Sequence, residues 1–306
     1  MTDDELSTML SEVSESDIVR TPKISPLVVR IHRLTHQMVM RICKWAKLTL
    51  VDVCADVTLD AGSKAVNMLV TELKARALDT RVRIITFTSS DMEELYAALR
   101  HPVLEEYRMR HLWMMFTGSH AWAYTAEALT VCGLGHRPPA SKEEMMCSDQ
   151  HQHHHHHQQH VWVFEIDCDV TFPIDEFMCQ YADDDADLIA KELVPASSIA
   201  TEWMWYDCAT PLFISQYRLH RRCAHVHAFR ASWRLLHKLH TEALRGAIGY
   251  GEMSIPTVCI GSGMIWRPLL DQHLGQPYDP HGKIGQEEFD ELERRRDCRL
   301  YHALKF

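Results

Sequence analysis

The sequence predicts an α/β protein: a doubly wound, mostly parallel, twisted sheet with helices on both faces. Three observations carry this. The stretch His160–Val170 reads HVWVFEIDCDV, and Val161–Ile166 within it is an apolar run broken only by Glu165. A half-exposed strand would alternate, so such a run marks a central strand buried on both faces, as in parallel sheets covered by helices. Strand and helix patterns also alternate between residues 27 and 88, the rhythm of a sheet assembled from strand–helix–strand units. Finally, 306 residues with 46% hydrophobic content suffice for a substantial core.

Taken in order, residues 1–25 form an acidic, Ser-rich leader with few aromatics, a composition that predicts disorder. Residues 26–306 are read as a single domain. Leu27–Ile31 is a short apolar strand, and 35–48 carries Met38, Val39, Ile42, Trp45 and Ala46 at helical spacing. A strand follows over 48–57, then a helix over 64–77 capped by Ser63, then a strand over 82–88. Asp91 and Glu94 suggest a capping box opening a helix over 91–99. A long apolar helix is expected over 111–129. Residues 138–160 hold Pro138-Pro139 and the run HQHHHHHQQH, read as a low-complexity loop before the central strand. Beyond that strand come a short helix over 173–181, a strand over 187–192 and an aromatic, irregular stretch over 197–215. An alternating segment over 223–230 leads to a helix from Ser232 through Leu244. Glu252 lies in a Gly-flanked loop ahead of an apolar run, and a charged tail carries a helix over 286–296.

The bulk properties narrow the function. A net charge of −10 is the wrong sign for a nucleic-acid binder, without excluding a local basic pocket. Ten cysteines are scattered with no C-x-x-C pair, which excludes a zinc ribbon and reads as buried thiols. There is no uninterrupted apolar stretch long enough to span a membrane, and the acidic N-terminus is unlike a signal peptide.

The chemistry concentrates where the apolar run ends in Asp167-Cys168-Asp169. Two carboxylates at i, i+2 after a central strand bring negative charge to the carboxyl edge of the sheet, where open α/β folds bind ligands. Such oxygen donors suit Mg²⁺ or Mn²⁺ shared with substrate phosphates. Acidic residues also follow strands simply because turns favour Asp. Glu165 adds weight, because an ionisable group inside an apolar strand is costly unless it has a partner or a role.

With those pieces in order, the chain resembles nucleotide-sugar glycosyltransferases of the GT-A type, within a eukaryotic group of glycosyltransferase-like proteins. The resemblance runs from about Pro26 to the end. It rests on LVVRIH at 27–32, VWVFEIDCDV at 161–170, FRASWRLL at 229–236, GEMSIPTVC at 251–259 and the closing HALK at 302–305. The acidic motif offers two frames, Glu165-Ile166-Asp167 and Asp167-Cys168-Asp169. A Rossmann-like nucleotide-binding half is implied, with a nucleoside diphosphate sugar as donor and a glycan, protein or small molecule as acceptor.

The resemblance further implies Mn²⁺ or Mg²⁺ held by Asp167 and Asp169, with His302 as a third ligand. Glu252 would be the base that accepts the acceptor hydroxyl proton if the anomeric centre inverts. Arg30, Arg230 and Lys305 would contact diphosphate or hold the carboxylates in place. Relatives of this type work in the Golgi; the absence of a signal peptide keeps a cytoplasmic location open. Two other readings compete. One is a GT-A-like interaction module whose site has decayed. The other is a haloacid-dehalogenase-type phosphatase with Asp167 as nucleophile and Asp169 as acid/base, although some 160 residues precede its motif here.

Overall fold

The computed structural model of the chain describes residues 27–31, 33–110, 160–195, 206–275, 284–302 and 304. The expected leader, the helix over 111–129 and the polyhistidine run up to residue 159 lie outside these, as does Lys305. The elements in order are β1 (Leu27–Ile31), α1 (His36–Leu48), β2 (Val51–Asp56), α2 (Asp60–Ala75), β3 (Val82–Phe87), α3 (Ser89–Leu95) and α4 (Pro102–Arg110). They continue with β4 (His160–Glu165), β5 (Asp169–Val170), α5 (Ile174–Cys179), β6 (Leu188–Pro195), α6 (Pro211–Gln216), β7 (Arg222–Ser232) and α7 (Trp233–Leu244). The last are α8 (Gly251–Gly261), β8 (Trp266–Pro268), α9 (Gln286–Arg294) and β9 (Leu300–Tyr301).

Seven strands form one sheet in the order β3-β2-β1-β4-β7-β6-β8, and β5 pairs with β9 in a separate two-stranded ribbon. The first four neighbours are parallel, β7 runs antiparallel to both β4 and β6, and β8 is parallel to β6. β4 is central and buried at every position, as its unbroken apolar run predicts.

The alternation along the strands divides the core in two. Val28, Val161, Val163 and Phe229 face one cluster, closed by Leu235 and Leu239 of α7 and Ile255 and Val258 of α8. Leu27, Val29, Trp162 and Phe164 face the other, closed by Ile42 and Trp45 of α1, Leu69 of α2 and Phe177 of α5. Helices thus cover both faces, the arrangement that continuous apolar strands require. Among the described residues no helix is long and apolar enough to cross a membrane.

Capping chemistry sets several boundaries. The Thr35 and Ser232 side chains accept from the third backbone N–H of α1 and α7. α3 starts earlier than the Asp91 reading: Thr88 is its cap and Asp91 closes the box from the third position. The same carboxylate therefore serves one turn upstream of where the spacing placed it. α2 likewise begins at Asp60, with Leu59 as a cap that makes no side-chain bond, so Ser63 lies inside it. The Gly-flanked loop around Glu252 is instead the first turn of α8, with Pro256 inside the helix. Glycine and proline read as a loop by composition, but the eight buried residues of α8 packed beside β7 override that preference.

Asp187 ties the far side of the sheet together. It accepts from Ser232 Oγ (2.7 Å), Arg234 Nε (3.0 Å) and the backbone N–H of Ile265 (3.0 Å), linking β6 to the start of α7 and to the approach to β8. Burial works to raise its pKa, but the Arg234, Ser232 and Ile265 bonds outweigh burial and hold it below the usual carboxylate value. A depressed carboxylate pKa stabilises the fold above its unfolded value of about 3.9 and loses that contribution as pH falls through the folded value. Urea unfolding between pH 6 and pH 3 should therefore show the stability gap between the parent and Asp187→Asn shrinking below pH about 4. A gap that stays constant over that range would contradict the assignment.

Candidate metal and acid–base site

The parallel half of the sheet leaves β1 toward β2 and β3, while β4 leads away toward β7 and β6. The crevice beyond the carboxyl ends of β1 and β4 is thus a topological switch point, where ligands enter open α/β sheets. Arg30 and Glu165 are paired across it in the strand register. β7 passes its antiparallel partner and brings His227 and His225 to the same place.

Glu165 is the hub. Its Oε1 takes a 2.7 Å hydrogen bond from Arg30 Nη2, both side chains being buried, and the same nitrogen reaches the carbonyl of Val226 at 3.3 Å. Oε2 lies 3.2 Å from His227 Nδ1 and 3.8 Å from His302 Nε2. Burial alone would raise the Glu165 pKa, yet His227, Arg30 and His302 outweigh it and bring it down to about 2. The imidazolium of His227 is disfavoured by burial, but Glu165, with Glu252 and Asp167 behind it, pulls its pKa up on balance.

Around this pair the other groups converge. His302 Nε2 is 3.7 Å from Asp167 Oδ1, and the His302 ring stacks on His227 with centroids 3.7 Å apart. His227 Nε2 faces Glu252 Oε1 at 3.8 Å. His225 stacks in turn on His227 at 5.6 Å. Three sets of donor atoms therefore lie close enough to share one cation: Glu165 with His227 and His302, Asp167 with Cys168 and His302, and His225 with His227 and Glu252. Burial and then the neighbouring Asp167 and Glu165 push the Cys168 thiol well up, and it donates to the His227 carbonyl at 3.4 Å. Without a cation it is a buried thiol, not a thiolate.

The chain's last residues complete the arrangement. β5 and β9 pair Asp169 with Tyr301 and Val170 with Leu300, and Leu304 N–H donates to the Asp167 carbonyl at 3.0 Å. That ribbon carries His302 to Asp167 from 135 residues away. Gly275 permits it, because a Cβ there would come within 2.1 Å of the Tyr301 ring.

The remaining sequence-derived residues fall elsewhere. Asp169 turns toward α1: it pairs with Arg41 Nε at 3.2 Å, accepts from Trp45 Nε1 at 3.0 Å and lies 3.9 Å from Lys44. Arg41 also donates to the Ile166 carbonyl, so this buried pair fixes the turn between β4 and β5. Of the two acidic frames, Glu165-Ile166-Asp167 is the one gathered with His302. Arg230 gives its guanidinium to the carbonyls of Tyr181, Asp184 and Ala186, pinning the turn after α5 away from the cluster. Burial lowers its pKa to about 10, with Asp184 opposing.

Residues 169–265 are similar to a family described as a protein of unknown function (DUF3405). That segment is about a third of the chain, and no curated protein matches the sequence. The matched span contains His225, His227 and Glu252; Arg30, Glu165, Asp167 and His302 lie outside it. His225 and His227 were not singled out from sequence. The signal was present in RCAHVHAFR, since residues two apart in a strand share a face, so the strand aims both imidazoles at one side.

Proposed function

We propose that the chain is a metal-dependent glycosyltransferase, moving a sugar from a nucleoside diphosphate sugar to a hydroxyl acceptor. One observation carries the reading: Glu165, Asp167 and His302 converge at the switch-point crevice beyond β1 and β4. His302 belongs to one donor set with Asp167 and to another with Glu165; a carboxylate with an imidazole fits a divalent cation, and the nitrogen donor favours Mn²⁺ over Mg²⁺. A cation there would neutralise the leaving diphosphate as a Lewis acid.

The chain's own groups supply the rest. His227 and Arg30 keep Glu165 ionised and Arg30 fixes it by a direct hydrogen bond, so the carboxylate is ready without reorganisation. Glu252, at the opening of α8 and only partly buried, would accept the proton of the acceptor hydroxyl, with His227 stationed 3.8 Å behind it. Asp169, already paired with Arg41 and Trp45, lends nothing to the phosphatase alternative, which needs it as acid/base.

Calorimetric titration of a panel of nucleoside diphosphates, with and without Mn²⁺, tests the reading. It should give Mn²⁺-dependent binding that selects one base and falls at least about 10-fold in Asp167→Asn. Binding that ignores both metal and Asp167, or no binding across the panel, would defeat it.

A further inference from the structure

We propose that His225, His227 and Glu252 form a second cation site, separate from the Asp167–His302 position, that takes a borderline divalent ion such as Zn²⁺ or Co²⁺. The proposal does not depend on the transferase reading. Donor atoms of the three side chains lie within 4.8 Å of one another. The 3.8 Å between His227 Nε2 and Glu252 Oε1 is too long for a hydrogen bond. Two donors bound at about 2.0–2.1 Å to one tetrahedral ion sit roughly 3.4 Å apart, so the His227–Glu252 pair closes on an ion with a shift of only a few tenths of an ångström, and His225 starts within 4.8 Å of both.

The second observation concerns the tautomer of His227. Its ring is buried, its Nδ1 lies 3.2 Å from the Glu165 carboxylate, and its Nε2 makes no hydrogen bond among the described residues. An ionised carboxylate can only accept, so Nδ1 carries a proton, and a cation at Nε2 would take the place of the second proton that the surrounding carboxylates favour on this ring. A carboxylate holding the far nitrogen of a histidine is the arrangement that orients metal-ligating imidazoles and raises their basicity. Arg30 fixes that carboxylate from the other side. An ordinary core histidine would have both nitrogens satisfied; this one keeps a donor atom aimed at a carboxylate and at a neighbouring histidine.

Two imidazoles and one carboxylate are a nitrogen-rich set, unlike the oxygen-rich Asp167 position, and suit Zn²⁺, Co²⁺ or Ni²⁺ above Mg²⁺ or Ca²⁺. Three protein ligands leave a fourth tetrahedral position for water or a ligand atom. With an ion bound, Glu252 is held as a ligand and cannot take up a proton. Loading this site and the base role of Glu252 are therefore alternative states of one residue.

The test uses the full chain with histidines 151 and 153–157 changed to Gln, which removes binding by the low-complexity run. Zn²⁺ is counted by equilibrium dialysis, and Co²⁺ is titrated while its visible d–d bands are followed. The parent should bind one equivalent more than His225→Ala, and the tetrahedral Co²⁺ bands should vanish in that variant. Glu252→Gln, isosteric and therefore safe for folding, should weaken the same equivalent by 10-fold or more, and Asp167→Asn should leave it in place. Equal stoichiometry and spectra in the parent, His225→Ala and Glu252→Gln would overturn the second site. Loss of the bands in Asp167→Asn alone would also overturn it, by reducing the cluster to a single site.

Discussion

Glu165→Leu should destabilise the protein by about 3–5 kcal/mol, the cost of breaking a buried ion pair from one side. The substitution leaves the Arg30 guanidinium, 95% buried, without the carboxylate that receives its 2.7 Å hydrogen bond. It also removes the acceptor at Nδ1 of His227. The double variant Arg30→Met, Glu165→Leu should recover much of the loss, because an apolar pair of similar volume spares both desolvation penalties. Urea unfolding of the four members of the cycle measures this. A loss in Glu165→Leu below about 1 kcal/mol would mean that the hub is not held as described.

The second large effect separates the two aspartates of the acidic motif. Asp169→Ala should cost a further buried pair, about 3–5 kcal/mol, because Arg41 is left facing an empty partner position beneath the turn from β4 to β5. Asp167→Asn keeps the volume and the capacity to hydrogen-bond, so it should cost less than Asp169→Ala, about 1 kcal/mol. Cation affinity should show the opposite ranking, falling more with Asp167 than with Asp169. Thermal melts and Mn²⁺ titrations on the two variants give both orders. A destabilised Asp167→Asn beside a well-folded Asp169→Ala would reverse the roles assigned here.

How much was legible in the sequence follows from which interactions are local. β4 could be read because a strand buried on both faces must be apolar throughout, a property of its own residues. The cap of α7 at Ser232 was legible for the same reason, since one side chain and one turn decide it. The start of α8 was not, because packing along β7 overcame the local preference of Gly251 and Pro256. Within the site, Asp167 was named from the acidic end of the central strand and His302 through resemblance. Their meeting, however, depends on the β5–β9 ribbon, a pairing across 130 residues that no local pattern encodes. Asp167 and Asp169 look equivalent in sequence. What distinguishes them is the position of Arg41 and Trp45, two helical residues contributed from 124 or more positions away. His225 and His227 passed as part of an alternating strand, since alternation states that two residues share a face and not what that face meets.

The most direct test is anomalous diffraction from crystals soaked with Mn²⁺ and a nucleoside diphosphate. An anomalous peak is expected beside His302, next to Asp167 and Glu165, with the diphosphate in the crevice beyond β1 and β4. A peak on the Asp169–Arg41 side of the turn, or nucleotide bound away from that crevice, would contradict this expectation.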